Sequence, residues 1–342
     1  MRILFQSRES LLDSTGGDTI QILKTKEYLE KLGLSIDLEP KKNVRYDLIH
    51  FFNTTGKIDS IYAKCVKYKS LGYPIVISPI YWDTNYIWNY YKGYNLRSGF
   101  NMYYNHVLKL LDFKKIQSNL MKQADLLLPN SKIEKELIIE KFGLDSSKFH
   151  IVYNSVDNFF FNAKSDSFVD KYGLDDFILY SGRVEPRKNT HSLCAAIKNL
   201  DLKLVVIGKL TNDEGYNSFC KRVGGQNVKY LGFVEHEELA SAYAAAKAHV
   251  LPSFYETPGL SSLEAAAAGC NIASTNIGSA PEYFDNLAYY CDPRDITSIE
   301  DAISNSFNAK KNMKLKKHVM NYSWENTAQE TLRGYEMILD GS

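Results

Sequence analysis

Short runs of apolar residues alternate along the chain with longer segments in which apolar and polar positions recur at helical spacing, as in residues 18–33 and 236–248. Short apolar runs between amphipathic helices are typical of βαβ units, whose parallel strands are covered on both faces. The pattern therefore predicts an α/β protein with two doubly wound sheets. The runs are "RILFQ", "DLIHFF", "PIVISP", "DLLLPN" and "HIVYN" in the first half, and "FILYSG", "LKLVVIG", "NVKYLG", "AHVLPS" and "CNIAST" in the second.

The length also indicates two domains, because 342 residues exceed the usual allowance of about 150 residues per domain. The periodicity lapses within "NSVDNFFFNAKSDSFVDKYG", near residues 158–172. We therefore predict a first domain over residues 1–160 and a second over residues 161–322.

Composition narrows the functional class. The hydrophobic fraction of 44% and charged fraction of 24% are ordinary for a soluble globular protein. No apolar run approaches the roughly 18 residues that span a bilayer, and "MRILFQSRES" is too quickly polar for a signal peptide, so we predict a cytoplasmic protein. The net charge of +1 argues against a nucleic-acid partner. The five scattered cysteines indicate neither a disulfide framework nor a zinc site.

One helix carries a carboxylate on its apolar face. In "FYETPGLSSLEAAAAGC", Thr257 is predicted to cap a helix and Pro258 to occupy its first position. Glu264 falls within the apolar stripe of that helix. A buried carboxylate requires a polar partner. The stripe comprises Leu260, Leu263, Ala267 and Ala268.

Cations follow the strand predicted in "FILYSG". Arg183, Arg187 and Lys188 lie within six residues of one another, where the next helix begins. Cations beside free helix amides form an anion site, for which a diphosphate is the obvious occupant. The alternative is a solvated basic loop. Near the N-terminus, Gly16 and Gly17 in "STGGDT" would let the backbone approach a ligand, although most Gly-Gly pairs belong to turns.

Three segments together carry a family resemblance. "SGRVEPRKN", "GFVEHEEL" and "PSFYETPGLSSLEAAAAG", in this order, resemble the retaining glycosyltransferases of family 4. The resemblance implies the GT-B fold: an N-terminal acceptor-binding domain and a C-terminal nucleotide-sugar-binding domain, both Rossmann-like and facing a cleft. It also implies that residues 323–342 form a closing helix that crosses back onto the N-terminal domain.

The same resemblance implies roles for individual residues. Glu256 and Glu264 are the ends of the family's Glu-x7-Glu motif: Glu256 would contact the donor hexose, and Glu264 would accept the ribose hydroxyls. Arg183 and Lys188 would hold the diphosphate and stabilise its charge as the glycosidic bond breaks. The alternatives are an internal salt bridge for Glu264 and a capping role for Glu256. Further donor contacts are expected at Gly16, Gly17, Gly182, Gly232, Phe233, Pro258, Gly259 and Leu260.

No metal or cofactor is expected. The chain lacks an Asp-x-Asp pair and a histidine cluster with ligand spacing. Gly-x-Gly-x-x-Gly, Walker A and Gly-x-Ser-x-Gly are also absent, which argues against dehydrogenase, P-loop and hydrolase functions. The nucleotide sugar is therefore expected to be the donor substrate and not a cofactor.

The N-terminal half departs from the family pattern. Many members carry a histidine after the third strand, where this chain has "SPIYWDTN". Asp83 or Tyr81 stands there instead, and we assign Asp83 a catalytic, substrate-contacting role, with a helix cap as the alternative. Arg8 and Asp13 are candidates for facing the acceptor.

An aromatic and basic segment follows. Residues 81–104 are rich in tyrosine and tryptophan, and Asp112 is the one acid between residues 84 and 122. Amphipathic aromatics with lysines suit a lipid headgroup region, so we hypothesise a peripheral contact with the inner face of the cytoplasmic membrane. The alternative is an aromatic acceptor groove with ordinary core. The lysines are Lys109, Lys114, Lys115 and Lys122.

The family resemblance, taken together with these observations, implies a retaining, metal-independent hexosyltransferase. It would move a hexose or N-acetylhexosamine from a nucleotide sugar, with UDP as the favoured nucleotide, to a hydroxyl of a glycan acceptor. A polyprenyl-diphosphate-linked intermediate of bacterial surface polysaccharide, such as O-antigen or capsule, is the expected acceptor. The alternatives are a nucleotide-sugar epimerase or phosphorylase on the same fold, and a catalytically silent binding subunit.

Overall fold

The computed structural model describes residues 1–8, 11, 16–54, 58–82, 113–257 and 259–340. These residues form two compact units. The first contains residues 1–82, 113–154 and 324–340, and the second contains residues 155–323, each within the described ranges.

The first unit is built on a five-stranded parallel sheet with strand order β2-β1-β3-β4-β5. The chain adds β2 on one side of β1 and then continues with β3 on the other, where Ile3 pairs with Leu48. The strand order therefore reverses between β1 and β3. The strands are β1 (Arg2–Gln6), β2 (Ser35–Asp37), β3 (Leu48–Phe52), β4 (Ile75–Ser78) and β5 (Leu126–Leu127).

Helices cover both faces of this sheet, which explains why its strands appear in the sequence as continuous apolar runs. In β1, Leu4 belongs to the core on one face, whereas Ile3 and Phe5 belong to the core on the other. This division follows from the two-residue period of a strand. The helices of this unit are Gly17–Lys31, Ile58–Ser70, residues 113–123, Lys132–Phe142 and Trp324–Leu339, with a 3₁₀ turn at Ser146–Lys148.

The helix Trp324–Leu339 belongs to the first unit, as predicted for the closing helix. Its Tyr335 hydroxyl lies 2.7 Å from Nδ1 of His50, and Nε2 of His50 lies 2.9 Å from the hydroxyl of Ser78. All three side chains are buried. Burial lowers the pKa of His50 to about 3, so the imidazole is neutral and depends on these hydrogen bonds.

The second unit is built on a six-stranded parallel sheet with strand order β11-β10-β9-β6-β7-β8. The chain proceeds outward from β6 to β8 and then returns to place β9 against the other side of β6. The strand order therefore reverses between β6 and β9. The strands are β6 (Ile178–Ser181), β7 (Leu204–Ile207), β8 (Val228–Gly232), β9 (Ala248–Leu251), β10 (Asn271–Thr275) and β11 (Tyr289–Cys291).

Eight α-helices of the second unit lie within the described ranges. No helix in the described part of either unit is long and apolar enough to cross a bilayer. The helices are Asp166–Tyr172, Thr190–Asn199, Glu214–Gly224, His236–Ala245, Leu260–Ala267, Ala280–Phe284, Ile296–Asn308 and Met313–Val319, with 3₁₀ turns at Asn158–Asn162, Pro186–Lys188, Gly225–Asn227 and Asp285–Leu287.

Three features differ from the sequence-based expectation. "HIVYN" does not form a strand. It runs beside the end of β5, where the N–H groups of His150 and Val152 donate hydrogen bonds to the carbonyls of Leu127 and Pro129, and β5 itself has only two residues. The three-residue strands β2 and β11 were not predicted. Residues 155–160 join the second unit rather than the first.

The last difference has a packing cause. Phe160 is buried against the rings of His236 and Tyr243, at centroid distances of 4.8 and 6.0 Å. Both partners lie on the helix His236–Ala245 of the second unit. The segment ahead of residue 161 therefore contributes to the core of that unit.

We expect Tyr335→Phe to lower the free energy of unfolding by about 1–3 kcal/mol, because the buried imidazole of His50 loses its partner at Nδ1. Urea denaturation followed by circular dichroism measures the change. Tyr73→Phe, at a half-buried tyrosine of the same unit, is the matched control. Equal urea midpoints for the two variants would show that the hydrogen bond does not secure the helix.

Candidate functional site

The reversal of strand order between β6 and β9 identifies a region for ligand binding. In open α/β sheets, ligands occupy the crevice beyond the carboxyl ends of the strands at such a reversal. Residues 182–189 follow β6 and residues 252–259 follow β9. Both segments contain the charged residues singled out in the sequence.

The two segments meet through a buried ion pair. The Lys188 ammonium lies 2.7 Å from Oε2 of Glu256, and the hydroxyl of Ser253 donates to the same oxygen at 2.9 Å. The Lys188 and Glu256 side chains are only 14% and 6% exposed. The pair is therefore largely removed from water.

Burial and charge act differently on the pKa values of the two members of the pair. Burial acts to raise the pKa of Glu256, but the cations of Lys188 and Arg187 and the hydrogen bonds outweigh it, and this pKa lies below its ordinary value. Burial lowers the pKa of Lys188, which the Glu256 carboxylate opposes. An ammonium has three N–H donors, and Glu256 uses one. The others can serve an anion.

Asn189 anchors the segment that carries Lys188. It adopts the left-handed conformation with φ of 56°, and its buried amide donates to the carbonyls of Pro252 and Pro293 at 3.1 and 2.8 Å. Phe254 also donates its N–H to the carbonyl of Arg187 at 3.0 Å. The two segments are therefore joined through their backbones as well as through the ion pair.

Gly278 supports the backbone of Glu256. The Ser279 N–H donates to the Glu256 carbonyl at 2.9 Å. A Cβ at Gly278, whose φ is +95°, would lie 2.1 Å from that carbonyl oxygen. Only glycine allows this approach.

The helix that carries Glu264 begins later than predicted. Its N-cap is Gly259, with φ of 62°, and its first residue is Leu260, so Thr257 is not the cap. The physical reason is that Glu256, the residue before Thr257, is paired with Gly278 in an isolated bridge, which holds it outside the helix. Pro258 lies outside the described residues. Leu263, Ala267 and Ala268 are buried as predicted, whereas Leu260 is half-buried.

Glu264 is half-buried, and its oxygen Oε2 accepts a hydrogen bond from the Tyr243 hydroxyl at 3.0 Å. Burial and, to a smaller extent, the Asp157 carboxylate raise the pKa of Glu264 to about 7 despite this bond. No cation forms an ion pair with Glu264 in the described part of the chain. The internal salt bridge considered as an alternative is thus not found there.

The two arginines of the basic segment differ in their surroundings. Arg187 donates to the carbonyl of Tyr255 at 3.2 Å and lies 3.1 Å from a carboxylate oxygen of Glu185. Arg183 is 55% exposed and lies 3.7 Å from the other Glu185 oxygen. Arg187 is therefore held by the protein, whereas Arg183 extends into solvent.

Three glycines line the ends of β6, β7 and β8. Gly182 donates its N–H to Ile207 at 2.9 Å, and Gly208 donates to Gly232 at 2.7 Å. A Cβ at Gly208 would lie 2.1 Å from the Gly182 carbonyl oxygen. Phe233, next to Gly232, is 66% exposed. Gly208 was not predicted, although the endings "YSG", "VIG" and "YLG" of three successive runs were a signal for it.

The remaining predicted residues lie in the first unit. Gly16 precedes the helix Gly17–Lys31, and its N–H donates to the Thr19 hydroxyl at 3.3 Å. Arg8 forms an ion pair with Asp18 at 2.8 Å. Tyr81 is buried and its N–H donates to Glu134.

Several predictions fall outside the described residues. These are the positions of Asp13 and Asp83 and most of the aromatic segment, residues 83–104. Within the described ranges, no group of three His, Cys, Asp or Glu side chains is arranged to hold a metal ion.

Comparison with known proteins gives matches in both sequence and structure. Residues 163–322 match the family glycosyl transferases group 1. The chain is 30% identical over 185 residues to the O-antigen chain mannosyltransferase B of Escherichia coli, which covers 50% of this chain and 49% of that protein. The chain thus spans about half the length of that relative.

Solved structures match over both units. Sucrose-phosphate synthase from Thermosynechococcus elongatus has a TM-score of 0.76 and 16% identity over 100% of both chains. Anabaena HepE in complex with UDP has a TM-score of 0.74 and 15% identity, covering 98% of this chain and 100% of that one. The predicted GT-B fold is confirmed. Membership of family 4 and retention of configuration stay predictions.

Glu264→Gln should stabilise the unliganded protein. The folded-state pKa of about 7 exceeds the ordinary 4.5, so stability is lost as the pH rises through this window and the half-buried carboxylate becomes charged. We expect a gain of about 1–3 kcal/mol at pH 8 and a much smaller one at pH 5. Urea denaturation at the two pH values measures it. The control Glu237→Gln, at an exposed position, should not show this gain in stability at pH 8. A gain in Glu264→Gln that is the same at both pH values would refute the explanation by the raised pKa of Glu264.

Gly278→Ala should destabilise the protein more than Gly269→Ala. Both glycines have left-handed φ values, +95° and +85°, so the backbone strain is similar. Of the two, only position 278 places the new Cβ in steric overlap with a carbonyl group, that of Glu256. We expect an additional loss of about 1–3 kcal/mol from this overlap, measured by urea denaturation. Equal losses would mean that the Glu256 backbone moves aside freely.

Proposed function

We propose that this protein is a retaining glycosyltransferase that transfers a hexose or N-acetylhexosamine from a nucleotide sugar to a hydroxyl of a glycan acceptor. The observation that carries the proposal is the Lys188–Glu256 pair at the strand reversal of the second sheet. The match of residues 163–322 to glycosyl transferases group 1 supports it.

The donor would be bound in three parts. The ribose diol offers two O–H donors, which suit the Glu264 carboxylate. The diphosphate would bind the free N–H donors of Lys188 and the exposed guanidinium of Arg183. Oε2 of Glu256 is occupied by Lys188 and Ser253, which leaves Oε1 for a hydroxyl of the hexose. One ion pair would thereby position diphosphate and sugar together.

The same groups would promote the reaction. Negative charge develops on the diphosphate as the glycosidic bond breaks, and a preorganised ammonium in a site of low dielectric stabilises that charge most in the transition state. The acceptor hydroxyl would attack from the face that the diphosphate leaves and lose its proton to the departing phosphate oxygen. The hexose would retain its anomeric configuration.

We also propose that the reaction needs no metal, since Lys188 and Arg183 supply the positive charge that a divalent ion would otherwise provide. UDP is the favoured nucleotide, because the HepE structure of the same fold is a complex with UDP. A lipid-linked intermediate of surface polysaccharide is the favoured acceptor, because an O-antigen chain mannosyltransferase is among the relatives. The membrane contact of the aromatic segment remains part of this proposal.

The first test is a thermal-shift panel of UDP, GDP, ADP and dTDP, with either EDTA or magnesium. We expect one nucleotide to stabilise the protein equally under both conditions, by about 2.7 kcal/mol at one hundred times its Kd. The sugar nucleotides of that base are then incubated with polyprenyl-diphosphate glycans, and the anomeric configuration of the product is read by NMR.

Lys188→Ala should lower the transfer rate about 10²–10³-fold, as is typical when one charge-stabilising contact is removed. Lys198→Ala, at an exposed position of the same unit, is the control. If no nucleotide binds, the proposed function is wrong. Binding without transfer to any glycan would favour the silent binding subunit, and an inverted product would exclude retention.

A further inference from the structure

The Tyr243 hydroxyl donates a hydrogen bond to Oε2 of Glu264 at 3.0 Å. Tyr243 lies on the helix His236–Ala245, and Glu264 lies on the helix Leu260–Ala267. The bond therefore links two helices of the second unit through the carboxylate that is proposed to bind the ribose.

The phenol of Tyr243 is fixed by its surroundings. The side chain is fully buried, and its ring packs edge-on against Phe160 and His249, with centroids 6.0 and 5.6 Å away. His249 in turn lies 3.3 Å from the Ser262 hydroxyl, on the helix that carries Glu264. Rotation of the ring is therefore restricted, and the donor reaches Glu264 from one fixed direction.

We propose that Tyr243 is a positioning residue that orients the Glu264 carboxylate toward the ribose diol, and that nucleotide binding is coupled to the release of one proton from Glu264. This inference rests on the proposed function. It goes further by adding a residue that does not touch the ligand and by predicting how binding depends on pH.

The charge of Glu264 explains the coupling. In the unliganded protein, burial raises the pKa of Glu264 to about 7, so about half of the molecules at neutral pH carry the protonated acid. A protonated acid accepts hydrogen bonds from the ribose hydroxyls more weakly than the carboxylate does, because one of its oxygens carries a proton and its charge is lost. Hydrogen bonds from the ribose hydroxyls favour the charged form of Glu264. The nucleotide therefore binds preferentially to the carboxylate, and Glu264 releases a proton on binding.

The other titratable groups around Glu264 do not explain such a dependence. Burial lowers the pKa of His249 to about 3, raises that of Cys270 to about 12 and raises that of Tyr243 well above its ordinary value. None of these three changes charge between pH 6 and 8.5. Asp157 adds a repulsive charge.

Three further groups belong to elements packed against the same helix. Lys311 and Lys316 donate to the carbonyls of Ala244 and Phe161, and His236 packs against Phe159 and Phe160. His236→Asn therefore serves as a control for titration of the neighbouring imidazole.

The test is calorimetric titration with UDP-glucose and GDP-mannose, whose diphosphates are esterified at both ends and do not titrate between pH 6 and 8.5. For whichever ligand binds, we expect the Kd at pH 6 to be about tenfold higher than at pH 8. At pH 7, buffers of different ionisation enthalpy should reveal release of about half a proton. His236→Asn should retain this dependence.

Tyr243→Phe separates orientation through the hydrogen bond from simple packing. Loss of the hydrogen bond from Tyr243 to Glu264 should raise the midpoint of the pH dependence of binding by about one pH unit. The affinity should therefore fall about fivefold at pH 7 and less than about twofold at pH 8.5. Tyr283→Phe removes a hydroxyl from another fully buried tyrosine of the unit and should leave the pH profile unchanged.

The outcomes are distinguishable. If wild type binds either ligand with a pH-independent Kd and no proton release, the inference is overturned while the proposed function stands. A loss of affinity in Tyr243→Phe that is equal at every pH would overturn the positioning role of Tyr243. If neither ligand binds at any pH, both the inference and the proposed function with these donors are overturned.

Discussion

The buried ion pair between Lys188 and Glu256 is the constraint around which the second unit is organised. Removing two charges from water is costly, and such pairs seldom stabilise a fold more than apolar residues would. Here the backbone is arranged to hold the pair. Asn189 fixes the segment of Lys188 through two hydrogen bonds, and Gly278 allows the backbone of Glu256 to approach closely. Such an arrangement is better explained by binding than by stability.

The two glutamates of the Glu-x7-Glu motif lie in opposite electrostatic environments. Cations keep the pKa of Glu256 low, so it is charged before any ligand arrives. Burial keeps the pKa of Glu264 high, and no cation in the described part of the chain forms an ion pair with it, so its charge costs free energy until a ligand with hydrogen-bond donors compensates it. Carboxylates whose environments separate their pKa values usually have different roles. The arrangement fits one sugar-facing and one ribose-facing residue.

Much of this could be predicted from the sequence because the signals are local. Continuous apolar runs marked the long strands, and the ends of these strands located Arg183, Lys188 and Glu256. The rest depends on contacts distant in sequence. The N-cap is Gly259 and the helix starts at Leu260, because the bridge between Glu256 and Gly278 holds Glu256 outside the helix. Tyr243 is a polar position in an alanine-rich helix, and only the tertiary fold brings its hydroxyl to Glu264. The strands β2 and β11 are too short to produce a pattern.

A structure of the protein with an intact sugar nucleotide tests the central claim most directly, because it locates each part of the donor. The account predicts the ribose hydroxyls within hydrogen-bonding distance of Glu264, the diphosphate on Lys188 and the hexose on Glu256. A diphosphate bound away from the ends of β6 and β9, with the Lys188–Glu256 pair untouched, would contradict it.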